Sequence, residues 1–270
     1  MLEATPDIKT LVIDVGNTAV KLAMFQGKDM LRVSRHMHDD FISTAREYVA
    51  HGCRAAILST TVNLLATHEQ QLYNLGIPLI RLDSTTPLPI YNMYSTQDRL
   101  GPDRIAAVVG AYVLRRPLST LVIDAGTCIT YDYIDRHRMY HGGAISPGRA
   151  MRLKAMHAFT DKLPLVDAQE AYSFMGASTR SCMEAGVIYG IIYEMEGFIR
   201  EYESHKDIGV LLTGGDAQLF GPLLDARDEE REERYEDWQA GVEVVPNLVL
   251  IGLNHILLHN LGKSSLTGGT

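Results

Sequence analysis

The chain has 270 residues, 46% of them hydrophobic and 21% charged, with a mean hydropathy of −0.04. This is enough apolar material for one large domain or two ordinary ones, and it excludes wholesale disorder. A formal net charge of −8 and a pI near 5.7 argue against gripping duplex nucleic acid through its phosphates. Cys53, Cys128 and Cys182 are too scattered for a disulfide framework or a Cys-x-x-Cys metal site. No stretch approaches the roughly 18 apolar residues of a membrane span, and the first residues do not read as a signal peptide. A soluble, cytoplasmic protein that binds neither nucleic acid nor membrane is expected.

In chain order, residues 11–18 read as a strand that ends in the turn Asp14-Val15-Gly16-Asn17-Thr18, and residues 19–25 as its hairpin partner. Residues 41–51 and 61–75 predict helices, with short strands at 55–59 and 79–82. Residues 83–101, polar and carrying Tyr91 and Tyr94, read as a loop over a cleft, after which Asp103 caps an apolar helix over 104–114. Residues 121–127 then repeat the opening pattern as Leu121-Val122-Ile123-Asp124-Ala125-Gly126-Thr127, followed by a strand over 128–134. A Gly-rich turn at 142–148 precedes a helix over 149–158, and a long helix spans about 179–202. A buried strand over 209–213 runs into Gly214-Gly215-Asp216-Ala217. The mixed charges of 225–237 read as a solvated helix face, 248–261 as an apolar helix and 263–270 as a frayed tail. The repeat divides the chain into related halves, 1–117 and 118–270, and the alternation of strands and helices predicts an α/β fold with a cleft.

A Gly turn after a strand lets backbone N–H groups approach an anion, because no Cβ stands in the way. Asp14, Asn17, Thr18 and Lys21 add a carboxylate able to hold hydrated Mg²⁺ and groups able to donate to phosphate oxygens. One Asp-x-Gly turn alone is an ordinary hairpin feature. Two copies plus Thr213-Gly214-Gly215-Asp216-Ala217 point instead to a nucleotide, and the pattern is neither a P-loop nor a Rossmann fingerprint.

This set of turns resembles the actin, sugar-kinase and chaperone ATPase superfamily, and within it the type III pantothenate kinases. The motifs are Asp14 to Thr18, Gly101-Pro102-Asp103-Arg104, Asp124 to Thr127, Gly142 to Gly148, Gly176 to Thr179 with Gly186, and Thr213 to Gly215. They occur in the family's order and cover nearly the whole chain. The resemblance implies two ribonuclease-H-like (actin-like ATPase) domains with a nucleotide cleft between them. It implies an ATP phosphate turn formed by Asp14, Val15, Gly16, Asn17, Thr18, Ala19, Val20 and Lys21, with Thr127 also contacting ATP. Asp103 would be the general base for the pantothenate hydroxyl. Tyr94, Gly101, Pro102, Arg104 and Thr179 would line the pantothenate pocket. Asp124 would hold a monovalent cation, K⁺ or NH₄⁺, and Mg²⁺ would accompany ATP. The family's homodimers imply a pocket at the subunit interface. Cys128 and Ala23 depart from common family residues, small for small.

The activity implied is transfer of phosphate from ATP to pantothenate, the first step of coenzyme A synthesis. A different kinase of the superfamily, or a nucleotide-binding regulator without turnover, are the rival readings; a regulator has no need of a base at Asp103. The pairs His36/His38 and His137/His141 lack metal-ligand spacing and read as loop histidines.

Overall fold

The computed structural model describes residues 8–167, 173–203, 208–232 and 241–267. In chain order the first elements are β1 (Lys9–Val15), β2 (Val20–Gln26), β3 (Asp29–His36), α1 (Phe41–Ala50), β4 (Ala55–Thr60), α2 (Ala66–Tyr73), β5 (Leu79–Arg81) and β6 (Tyr91–Asn92). A 3₁₀ turn, Gln97–Arg99, leads into α3 (Pro102–Arg115). Then come β7 (Ser119–Ala125), β8 (Cys128–Ile134), β9 (Met139–Pro147), α4 (Arg149–Ala158), α5 (Thr179–Glu203), β10 (Ile208–Thr213), α6 (Ala217–Glu232), β11 (Val242–Val244) and α7 (Leu248–Thr267).

The chain forms two compact units. The first comprises Met1–Pro117, Ile134–His141 and Asn247–Thr270; the second comprises Leu118–Tyr133 and Gly142–Pro246. Sequence order alone suggested a single cut between 117 and 118. The structure instead returns α7 to the first unit, because α7 is apolar almost all round and completes that unit's core beside α3.

The first unit is a five-stranded sheet ordered β3-β2-β1-β4-β5. β1 runs antiparallel to β2 and parallel to β4, and its near-continuous apolar run fits a central strand buried on both faces. On one face Leu11, Ile13, Leu22 and Leu58 pack with Phe41, Ala45 and Tyr48, which share one side of α1. On the other, Val12, Ala23 and Ile57 pack against Ile105 and Val109 of α3 and Leu250, Leu253 and Leu257 of α7. A buried bridge adds to this layer: the Thr10 hydroxyl donates to Asn254 Oδ1 at 2.6 Å, and Asn254 Nδ2 donates to the Gly27 carbonyl at 2.9 Å.

The α3–α7 contact depends on Gly252. A Cβ there would overlap the Ala106 carbonyl and stand 2.9 Å from the Gly110 nitrogen. Gly252→Ala is therefore expected to destabilise by about 3 kcal/mol, the upper end for overpacking, seen as a lower thermal midpoint. An unchanged midpoint would mean that the two helices separate without cost.

The second unit repeats the first. The second sheet is six-stranded, ordered β11-β10-β7-β8-β9-β6; from β9 to β11 it has the same sequence of third, second, first, fourth and fifth, and β10 is parallel to β7 as β4 is to β1. Leu121, Ile123, Val210 and Leu212 of this sheet pack against Val187, Ile188, Ile191 and Met195 of α5 and Phe220 of α6.

Four local expectations differ from what is seen. Residues 61–65 are not helical: Thr60 Oγ1 bonds the Val62 backbone from both sides, as donor to its carbonyl and acceptor from its N–H, and turns the chain. Residues 142–147 continue strand β9 instead of turning, since Gly143 brings its backbone against the Tyr131 carbonyl with no room for a Cβ. β3 is an additional edge strand with little apolar alternation to announce it. Helix α7 runs on to Thr267, into the segment read as a frayed tail. The end of the charged run, 233–237, and residues 268–270 lie outside the described residues. No helix among the described residues is long and apolar enough to cross a membrane.

Candidate active site

The hairpin register of the first unit sets Asp14 opposite Lys21 on β2 and opposite Ser59 on β4. Ser59 is fully buried, and its hydroxyl donates to Asp14 Oδ1 at 3.1 Å. Gly16 N–H donates to the Ala19 carbonyl at 3.1 Å and closes the turn, leaving Asn17 and Thr18 exposed at its tip. Val15 and Val20 bury their side chains in the core, so that part of the motif can offer a ligand only its backbone. The Asp14 carboxyl is pushed up to about 6, first by burial and next by the negative charge of Asp103; the Ser59 bond and Lys21 oppose the shift. The charge of Asp103, at the start of α3, thus bears on the carboxyl at the end of β1.

Asp103 stands inside the first turn of α3, not before it. Pro102 opens the helix and Gly101 is the N-cap, as suits a Pro with its φ fixed near the helical value and no N–H to satisfy. The Arg104 N–H donates to Asp103 Oδ1 at 2.9 Å, and the helix N-terminus favours a negative charge there. Gly101 makes room for it: a Cβ would lie 2.5 Å from Asp103 Oδ1, so any side chain would displace the carboxylate. Arg104 is buried, with its guanidinium 5.5 Å from the centre of the Tyr94 ring. Tyr94 in turn stacks on Tyr140 with ring centres 6.3 Å apart and planes 7° apart. The pairing of β6 with β9, Asn92 opposite Tyr140, anchors the loop that carries Tyr94.

In the second unit Asp124 pairs in register with Thr213, the counterpart of Asp14 with Ser59. Three Gly turns converge on Ala125–Thr127. Gly126 N–H donates to the Cys128 carbonyl at 3.0 Å, Gly148 N–H to the Thr127 carbonyl at 3.1 Å, and Asp216 N–H to the Ala125 carbonyl at 2.9 Å. Gly214 has φ +98°, and a Cβ on it would lie 2.5 Å from Asp124 Oδ1; only glycine fits both demands. The Arg149 guanidinium holds Asp216 at 3.0 Å, tying the start of α4 to the Thr-Gly-Gly-Asp turn. Thr179 lies exposed at the start of α5 in this same unit, whereas Tyr94, Gly101, Pro102, Asp103 and Arg104 belong to the first.

Ser59, Arg149 and Tyr140 were not singled out for the site by sequence. Ser59 had one available signal, a buried strand ending in Ser-Thr-Thr where the second copy ends in Thr-Gly-Gly. Of the histidines, His36 bonds Ser34 Oγ at 2.9 Å, His38 bonds the Gly16 carbonyl at 2.8 Å and His141 pairs with Asp135 at 2.9 Å. Among the described residues no group of three or more His, Cys, Asp or Glu is placed to hold a metal.

Duplicated sheets of one strand order, each with an Asp at the end of its first strand and a Gly turn beyond, define the actin-like ATPase and sugar-kinase class of fold. A ROK hexokinase from Thermus thermophilus superposes with a TM-score of 0.52 at 14% identity, over 92% of this chain and 98% of that one. A conserved protein from Campylobacter jejuni, described as a Baf family transcriptional activator, does so with a TM-score of 0.61 at 21% identity, over 93% and 98%. Within that class the family model described as type III pantothenate kinase matches residues 10–201. A type III pantothenate kinase of Bacteroides fragilis is 41% identical over 94% of this chain and 99% of its own length. One from Phocaeicola vulgatus is 39% identical over 93% and 98%. The chain belongs to the type III pantothenate kinase family.

Proposed function

We propose that the protein phosphorylates pantothenate on its primary hydroxyl at the expense of ATP, giving 4′-phosphopantothenate for coenzyme A synthesis, with Asp103 as general base. The observation that carries this reading is the juxtaposition, in one unit, of the Asp14 turn, the Asp103 carboxylate at a helix start, and a buried Arg104 set against Tyr94. Phosphoryl transfer asks for positioning, charge neutralisation and a base at the acceptor hydroxyl. Asp103 takes the hydroxyl proton as the oxygen attacks the γ-phosphorus and ADP leaves. Arg104 pairs with the pantothenate carboxylate, which only a rigid, permanently charged fork can grip with two parallel hydrogen bonds, and Tyr94 with Gly101 and Pro102 shapes the pocket. Asn17, Thr18, Lys21 and the turn's N–H groups take phosphate oxygens, and Thr127 is a further residue for contact with ATP.

The donor sets fit two cations. Asp14 and Asp103 carry carboxylates whose charges repel, a repulsion that a divalent cation would relieve, and this suits a hydrated Mg²⁺ travelling with ATP. Asp124 Oδ1 and the Ala125 carbonyl oxygen both lie where a Cβ on Gly214 would stand, two oxygen donors of the kind that suit K⁺ or NH₄⁺. Mg²⁺ would supply charge neutralisation at the phosphates when bound.

Exposed apolar side chains on and beside α5, Phe174, Met175 and Tyr193, support a homodimer, with Thr179 completing the partner's pocket. Cys53, Cys128 and Cys182 are free thiols, in keeping with a reducing cytoplasm.

The test is phosphate transfer from ATP to pantothenate by the purified protein, with K⁺ present or replaced by Na⁺. K⁺-stimulated 4′-phosphopantothenate is expected; ATP binding without product would overturn the reading. In the same assay Arg104→Lys is expected to raise KM for pantothenate about tenfold or more, because a point charge replaces the bidentate fork, and to leave KM for ATP unchanged. Equal rises in both would remove Arg104 from the pantothenate pocket.

A further inference from the structure

We infer that His38 is a positioning residue that sets the phosphate turn for nucleotide binding. This rests on the reading that the Asp14 turn carries the phosphates of ATP. The imidazole comes from the segment between β3 and α1, remote in sequence from the turn, and its Nε2 lies 2.8 Å from the Gly16 carbonyl oxygen. A carbonyl only accepts, so Nε2 carries the proton and donates. Gly16 is then held at both ends, its N–H by the Ala19 carbonyl at 3.1 Å and its C=O by His38.

The consequence follows from the planar trans peptide, in which the C=O of one residue and the N–H of the next point in opposite directions. Fixing the Gly16 carbonyl on the imidazole turns the Asn17 N–H away from it, toward the exposed side of the turn. Glycine has little intrinsic preference for one peptide orientation, so without this bond the Gly16–Asn17 peptide is free to flip and present an oxygen where a phosphate needs a donor. His38 is half-buried and forms part of the wall of an open pocket of about 290 Å³ shared with Asn17, Val62, Asn63, Leu64, Leu65 and His68, so the residue that holds the Gly16 carbonyl also lines the space beside Asn17.

The experiment measures binding of a non-hydrolysable ATP analogue with Mg²⁺ by titration calorimetry, and steady-state kinetics, on the wild type, His38→Leu and His38→Gln. Leu keeps bulk without a donor; Gln restores an N–H donor of similar reach. His38→Leu is expected to weaken nucleotide binding and raise KM for ATP roughly three- to ten-fold, the equivalent of one neutral hydrogen bond. KM for pantothenate should hold, and His38→Gln should recover to within about twofold of wild type. Thermal midpoints are recorded alongside, because a purely structural role would lower the midpoint in both variants without the KM split or the rescue. Wild-type nucleotide affinity in His38→Leu, no recovery in His38→Gln, or parallel changes in both KM values would overturn the inference while leaving the kinase reading intact. A wild type that binds no nucleotide would overturn both, whereas one that binds nucleotide but does not phosphorylate pantothenate overturns the substrate reading alone.

Discussion

Asp103→Asn is expected to lower kcat for pantothenate phosphorylation by about 10²–10⁴-fold, the range for loss of a positioned general base, with nucleotide binding preserved. The substitution is nearly isosteric. It keeps an acceptor oxygen for the Arg104 N–H that Asp103 Oδ1 receives at 2.9 Å, and it leaves the Gly101 cap and the buried Arg104 in place. What disappears is the capacity to take a proton, together with one negative charge beside Asp14. That charge is one cause of the raised Asp14 pKa, so the variant should also ionise Asp14 at lower pH. Single-turnover kinetics with saturating ATP and pantothenate would check the first effect. A rate within tenfold of wild type would exclude Asp103 as the general base.

Asp14→Asn should do two opposite things: remove most activity, by about 10²-fold or more, and stabilise the protein at neutral pH. The sign follows from the titration. Below its ordinary value of 3.8 the Asp14 carboxyl is neutral whether the chain is folded or not, and its burial costs nothing. Between 3.8 and about 6 the unfolded chain ionises first and stability falls; above about 6 the folded protein bears the full cost of a desolvated charge next to another. The gap corresponds to at most about 3 kcal/mol. Thermal unfolding of the nucleotide-free and Mg²⁺-free proteins should therefore show Asp14→Asn more stable than wild type at pH 7.5, with the difference vanishing near pH 3.5. A variant less stable at pH 7.5 would show that Asp14 is compensated by partners beyond Ser59 and Lys21. Stability given up at a charged functional site is a common exchange in enzymes.

The parts of this arrangement legible in the sequence are those carried by local pattern. Both hairpins, the Asp at the end of each first arm and the Gly turn beyond it are written in adjacent residues. The convergence of Gly148 and Gly214 on Ala125–Thr127 was not, because it depends on strand order and on backbone approaches that no spacing records. Ser59 reaches Asp14 only through the parallel register of β4 with β1, and His38 reaches Gly16 from across a strand and a turn. Val62 and Leu65 stand one helical turn apart, yet they lie in a loop because Thr60 bonds to Val62 first. Asp103 stands two positions further into α3 than the cap its sequence context predicts, because Pro102 already begins the helix. The largest difference, the return of α7 to the first unit, lies in packing between remote segments: an apolar helix read in isolation does not name the face it will cover.

That return bears on how the chain is made. Synthesis runs from the N-terminus and domains commonly fold as they emerge, but the unit that carries Asp14 and Asp103 lacks one wall of its core until residues 248–267 leave the ribosome. Until then Ile105, Ala106 and Val109 of α3 present an apolar stripe to solvent, a surface for chaperones to hold. A ribosome that stops before α7 releases a chain whose first unit remains open, so the unit bearing the proposed base closes only once residues 248–267 have been made.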